Sequence, residues 1–183
     1  MPLSEIQIRK LTNLFNAFDV NKDGLAERAD HLAIVDRACS IRGFAPGTPS
    51  HGELHAKLLP IWEMLERHAD TDGDRAVDLK SWLKYFDAVI DGPPEGMTGA
   101  IAAGVGNVLD MVDLDGDGRL NLSEYRALLR VYGINEEHAA QTFPRLDLDK
   151  DGFISRDEML ELFRQWFTSS DPAAPGNQLW GPV

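Results

Sequence analysis

Four stretches of this chain share one rhythm of buried-type and polar positions. Counted from the end of each of four acidic segments, the residues at +1, +4 and +5 are His31, Ile34 and Val35; Trp82, Tyr85 and Phe86; Tyr125, Leu128 and Leu129; and Met159, Leu162 and Phe163. That spacing puts them on one face of a helix. Ahead of three segments a second pair recurs at −4 and −1: Phe15 and Phe18, Leu109 and Val112, Phe143 and Leu146. Glu66 and Ala69 take those places in the second repeat, where Trp62 and Leu65 keep an apolar stripe. The pattern predicts an all-α fold of four helix–loop–helix repeats. The first helix is expected to run from Ser4, as N-cap, to Phe18. The Gly- and Pro-rich segment 41–52 then breaks the rhythm, and a long helix is expected from about Glu53 to Ala69, kinked at Pro60.

The acidic segments have a metal-binding spacing. In Asp113–Glu124, oxygen-bearing side chains fall at positions 1, 3, 5, 9 and 12 (Asp113, Asp115, Asp117, Asn121, Glu124), with Gly118 at position 6 and the backbone carbonyl of Arg119 at position 7. Calcium takes six to eight oxygens, and a twelve-residue loop supplies them if it turns sharply at position 6 and returns a two-oxygen carboxylate at position 12. This is the pattern of an EF-hand. The segment 147–158 is equally complete, with Asp147, Asp149, Asp151, the Phe153 carbonyl and Glu158. The segment 19–30 offers Asp19, Asn21, Asp23, the Leu25 carbonyl and Asp30. Its shorter position-12 arm makes two-oxygen chelation harder and lowers the coordination number toward the six that magnesium prefers. The segment 70–81 begins with Asp70, Asp72 and Asp74 but has Arg75 at position 6 and Ser81 at position 12. It is expected to be a structural partner that binds calcium weakly or not at all. Position 8 holds Val77, Leu120 and Ile154 in the last three segments, where paired loops are expected to meet through short β-bridges.

DGPPEG at 91–96 divides the chain. The expected organisation is an EF-hand pair over 1–91, a second over 92–168, and a tail, 169–183, that packs back on the core and buries Trp180. The two pairs are expected to form one compact globule. The glycines of GAIAAGVGNV lack the preceding strand and third glycine of a dinucleotide fingerprint, and are read as a tightly packed helix.

The net charge of −12 argues against nucleic acid and anionic membranes as partners. No apolar run approaches the roughly 20 residues of a membrane span, and MPLSEIQIRKLTNLF has no signal-peptide character. The single cysteine, Cys39, cannot form an intrachain disulfide and reads as a small buried residue of a reducing, cytoplasmic protein. His51 and His55 lie four apart, but H-G-E-L-H differs from the zinc-protease order H-E-x-x-H, so they are read as surface histidines.

Four such loops with a defective second, Asp at position 12 of the first, the stretch GLAERADHLAIV and the tail APGNQLWGP resemble the sarcoplasmic calcium-binding proteins, and most closely their bacterial relatives of the calerythrin type. The resemblance covers the whole chain. It implies two EF-hand pairs packed face to face, metal at sites one, three and four, and calcium buffering or transport without catalysis.

The expected function is therefore an intracellular calcium buffer, monomeric and not an enzyme, holding about three calcium ions, with magnesium as an alternative at the first site. Two alternatives stand beside it. One is a calcium sensor that exposes an apolar groove to a protein target. The other is a carrier of a small apolar ligand, as in related luciferin-binding and photoprotein families. The aromatics Trp62, Trp82, Trp166, Phe86 and Tyr132 are read as core.

Overall fold

A computed structural model describes residues 2–181. The first helix, α1 (Glu5–Phe18), is started by a capping box in which Ser4 and Gln7 exchange side-chain and backbone bonds. Next come β1 (Leu25–Glu27), α2 (Arg28–Ile41), α3 (Pro49–Ala69), β2 (Ala76–Asp78) and α4 (Leu79–Ile90). The second half holds α5 (Pro94–Val112), α6 (Leu122–Val131), α7 (Ala139–Leu146) and α8 (Arg156–Thr168), followed by a 3₁₀ turn at Pro175–Gln178. No helix among the described residues is long and apolar enough to cross a membrane.

The loops pair as position 8 predicts. β1 and β2 are antiparallel, with Ala26 opposite Val77. In the second half Leu120 and Ile154 exchange both backbone bonds, at 2.9 and 2.8 Å. All four residues are buried.

Helix α3 begins four residues earlier than expected. Thr48 caps it by accepting from the His51 N–H, and Pro49 occupies the first helical position, where its missing N–H costs nothing. Pro60 lies inside the same continuous helix. Gly104 has a packing reason: a Cβ there would come within 2.9 Å of the Phe163 ring, so the α5–α8 contact leaves no room for a side chain.

The tail lies against α8 and α6. Leu179 is buried, worth roughly 2 kcal/mol by area, and the Tyr125 hydroxyl donates to the Gln178 carbonyl at 3.2 Å. Trp180 departs from the expectation. It is only half-buried, with its ring 4.8 Å from that of Tyr132 and 6.0 Å from that of Phe163, because it fronts a cavity.

Lys10 ties both termini together. Helix α8 has no basic residue in its last turn. The Lys10 ammonium, 1 % exposed, comes across from α1 and donates to the Ser169 carbonyl (3.1 Å), the Gln165 carbonyl (3.4 Å) and Asn177 Oδ1 (3.0 Å). A cation at helix-end carbonyls is favourable. With no carboxylate among these acceptors, burial pulls the lysine down to about 8. The unfolded chain, with an ordinary lysine near 10.5, then holds a proton that the folded chain has released. Lys10 therefore contributes a rise in stability as pH climbs from about 8 to about 10.5. Thermal melts of the calcium-saturated protein across that range are expected to show a component of rising stability that Lys10→Met abolishes. An unchanged pH slope in the variant would contradict this assignment.

Candidate metal loops

Each loop is wound around the carboxylate at its first position. Asp19 accepts the backbone N–H groups of Asp23 and Gly24 at 3.2 and 2.9 Å, and Asp147 those of Asp151 and Gly152 at 3.1 and 2.9 Å. Asp113 accepts from Gly116 and Gly118 at 2.7 and 3.0 Å, and Asp70 from Gly73 and Arg75 at 2.7 and 3.0 Å. These turns require positive φ at positions 4 and 6 in all four loops. Position 4 is Lys22, Gly73, Gly116 or Lys150, and position 6 is Gly24, Arg75, Gly118 or Gly152. The second loop thus adopts the same path although Arg75, at φ 68°, must enter the left-handed region at a cost of about 1–2 kcal/mol.

The loops close at position 12. Glu124 accepts from the Leu114 N–H (2.8 Å) with one oxygen and from the Asn121 N–H (3.0 Å) with the other. Glu158 does the same with Leu148 (2.6 Å) and Ser155 (2.7 Å). Asp30 spans the equivalent gap from a shorter arm, accepting from Val20 (3.1 Å) and Glu27 (2.9 Å). Burial would raise the Glu158 carboxyl, but the Ser155 hydroxyl and the surrounding N–H donors outweigh it and hold the group below its usual value. Ser81 has no such arm; its N–H donates to Asp78, which caps α4 unaided.

The donors converge accordingly. Oxygens of Asp113, Asp115 and Glu124 lie within 4.8 Å of one another, as do those of Asp147, Asp149 and Glu158. Asp70, Asp72 and Asp74 also cluster, without a position-12 partner. In the first loop Asn21 replaces the position-3 carboxylate and its amide donates to Asp23 at 2.9 Å. The clusters of the third and fourth loops offer an all-oxygen donor set that suits a hard divalent cation, whereas Asp19, Asp23 and Asp30 of the first loop, and Asp117 and Asp151, are not among the carboxylates found within that distance.

One feature of the second pair had no sequence signal. The Arg119 guanidinium bonds the Asp117 carboxylate at 2.9 Å, lies 3.8 Å from Asp151 and rests 3.9 Å over the Phe153 ring. The two position-7 side chains therefore clasp each other across the bridge. The Arg119 backbone N–H, together with its side chain, holds the Asp117 carboxyl below its ordinary value.

Comparison with known proteins agrees with this geometry. A family model for an EF-hand domain pair matches residues 103–164. Calerythrin from Saccharopolyspora erythraea is 23 % identical over 86 % of this chain and 89 % of its own length. The sarcoplasmic calcium-binding protein β chain of Penaeus is 24 % identical over 91 % and 90 %. The chain is an EF-hand protein similar to the sarcoplasmic calcium-binding proteins. Its fold also matches the solved structure of the coelenterazine-binding protein from Renilla muelleri in the calcium-loaded apo form, with a TM-score of 0.77 at 23 % identity, covering 99 % of this chain and all of that one.

The second loop offers a clean separation of strain from ligand supply. Arg75→Gly is expected to raise the stability of the calcium-free protein by about 1 kcal/mol by relieving the left-handed residue, measured by urea unfolding in chelator. It should add no calcium site by itself. An added site is expected only when Ser81→Glu is combined with it, and calorimetric stoichiometry reads the difference.

Proposed function

We propose that this protein is a calcium buffer, with ions at the first, third and fourth loops and a second loop that serves as a pairing partner. Asp19, Asn21, Asp23, Leu25 and Asp30 would hold the first ion. Asp113, Asp115, Asp117, Arg119 and Glu124 would hold the second, and Asp147, Asp149, Asp151, Phe153 and Glu158 the third. The observation that carries the reading is the closure at position 12: Asp30 makes the same two backbone contacts as Glu124 and Glu158, which supports a first loop drawn tight enough for its shorter arm. The tail supports a buffer over a sensor. A sensor opens an apolar groove to its target, whereas here Leu179 and Trp180 lie against α6 and α8. A loop held at ~1,000 times its dissociation constant stabilises the fold by roughly 4 kcal/mol, so calcium is expected to tighten the molecule.

A calcium titration by calorimetry, with and without millimolar magnesium and with an apolar-surface dye present, tests this. Three ions bound with falling dye fluorescence is the expected result, and Glu124→Gln or Glu158→Gln should each remove one tight site. Magnesium is expected to compete most strongly at the first loop, where Asp30→Asn should abolish the competition. Rising dye fluorescence with calcium would replace the buffer by a sensor.

A second reading is favoured by one observation. Between the two halves lies a cavity of about 370 Å³, within the range of small-molecule pockets. Its walls include Trp82, Tyr85, Phe86, Tyr132, Phe163 and Trp180. Tyr85 and Phe86 keep partial exposure because their helix α4 turns its apolar face to this space. The shape and lining suit a small, largely aromatic apolar molecule, and the fold likeness to the coelenterazine-binding protein supports such a carrier. Binding of a fluorescent apolar probe with a saturable one-to-one stoichiometry, weakened by Ala103→Trp, which narrows the cavity from an exposed wall position, is expected if the cavity takes a ligand. Diffuse, unsaturable binding would remove this reading and leave the buffer intact.

A further inference from the structure

The pair His51 and His55, read from spacing as surface residues, meets a thiol and a carboxylate from another helix. Asp36 and Cys39 lie three apart on α2, and the two histidines lie four apart in the first turns of α3. Each spacing presents its two side chains on one helical face. Ligand atoms of Cys39, His51 and His55 fall within 4.8 Å of one another. Nε2 of His55 is 2.8 Å, and Nε2 of His51 3.3 Å, from the same oxygen of Asp36. The imidazole rings stack with centroids 4.4 Å apart. Their side chains are 19 % and 22 % exposed, Cys39 is 1 % exposed, and a surface cavity lined by Asp36, Cys39 and His51 gives the group a solvent approach.

An ion pair alone explains these contacts poorly. Asp36 is 59 % exposed, so its attraction for an imidazolium is largely screened. Nothing in a simple pair calls for a thiol at the same point. Calcium is no better as an explanation, because it selects oxygen and this group is dominated by nitrogen and sulfur.

We infer that Cys39, His51 and His55 form a separate site for a borderline transition-metal ion, zinc in the first instance, with Asp36 as the carboxylate that orients the two imidazoles. Imidazole and thiolate are the donors zinc prefers, and four-coordination at its usual bond lengths sets ligand atoms roughly 3.3–3.7 Å apart. With the donors within 4.8 Å of one another, zinc requires them to draw together by roughly an ångström. Carboxylates that bond the second ring nitrogen of a ligand histidine are a regular feature of such centres, and with Nε2 of both rings on Asp36, Nδ1 is the nitrogen left on each for the metal. Burial and the neighbouring Asp36 keep the free Cys39 thiol protonated, so the metal enters by displacing one proton from sulfur, which leaves to solvent as the metal–sulfur bond forms. The site links the helix leaving the first calcium-type loop to the helix entering the second. It therefore staples a connection that the β1–β2 pairing holds only at its far end.

The test is a titration of the full-length protein, reduced with a non-thiol reductant and saturated with calcium so that the loops are occupied. Zinc is followed by calorimetry and cobalt(II) by absorption. One equivalent of zinc beyond calcium is expected, and cobalt should give tetrahedral visible bands with a thiolate charge-transfer band in the near ultraviolet. His51→Gln and His55→Gln should each weaken binding by about tenfold or more. Asp36→Asn should weaken it comparably while leaving the thiolate band in place, which marks an orienting role. Cys39→Ala should abolish the band. Because Cys39 is in the core, the two histidine variants, at a partly exposed helix start, carry the decision independently of folding. No zinc binding in the calcium-saturated protein, affinity unchanged in both histidine variants, or a cobalt spectrum without thiolate character would each overturn the site.

Discussion

The rest of this molecule depends on four aspartates that turn the chain around themselves. Asp19, Asp70, Asp113 and Asp147 each take two backbone N–H groups of their own loop. That pair of bonds fixes where position 8 emerges, and so permits the bridges between Ala26 and Val77 and between Leu120 and Ile154. The bridges in turn set the angle at which the exit helices α2, α4, α6 and α8 leave. The constraint is strong enough to hold Arg75, Lys22 and Lys150 at positive φ, a conformation each would avoid in isolation. The second loop keeps its shape for this reason even though its ligand set is broken. Its pairing is needed by the first loop irrespective of whether it holds an ion.

The loops were legible in the sequence because their geometry is local. Twelve contiguous residues carry the turn, the donors and the closing carboxylate, so spacing alone specifies Asp113–Glu124 and Asp147–Glu158. The helix faces were legible for the same reason, and Ile34, Val35, Leu128, Leu129 and Leu162 are all buried. What spacing could not show is what distant segments bring together. The start of α3 at Pro49 was hidden by reading Gly and Pro as breakers, when Thr48 followed by Pro49 is itself a start signal. The Arg119 clasp on Phe153 and the approach of Cys39 to His51 and His55 join residues of different helices or loops, which no local pattern encodes.

The cavity is the clearest such case. Phe86 and Tyr132 carry the periodicity of core residues, and a large aromatic at helical spacing gives the same signal whether it packs against a neighbour or faces a void. Only the summed volumes of several elements decide. Here α4 buries Trp82 fully, with its indole N–H donated to the Leu11 carbonyl at 3.0 Å, but leaves Tyr85, Phe86 and Val89 half-covered. Protein interiors are otherwise close-packed, and an apolar void forgoes dispersion contacts on its walls. This space, about 370 Å³ and partly open to solvent, leaves its apolar walls without the side-chain contacts that a closed core would give them.

The walls of that void also connect it to the loops. Trp82, Tyr85 and Phe86 belong to the helix leaving the second loop, Val108 to the helix entering the third, and Phe163 and Phe167 to the helix leaving the fourth. An ion that changes the exit angle of any of these helices changes the shape of the space between them. Linkage makes the relation reciprocal: whatever fills the space and favours one arrangement of the walls must alter ion affinity at the loops by the same factor. The tail closes the circuit, since Trp180 fronts the cavity while Asn177 and the Ser169 carbonyl are held by Lys10 from α1. Cavity shape and the seating of the tail therefore belong to one packing arrangement, and an ion that moved the helices bounding it would be felt at both.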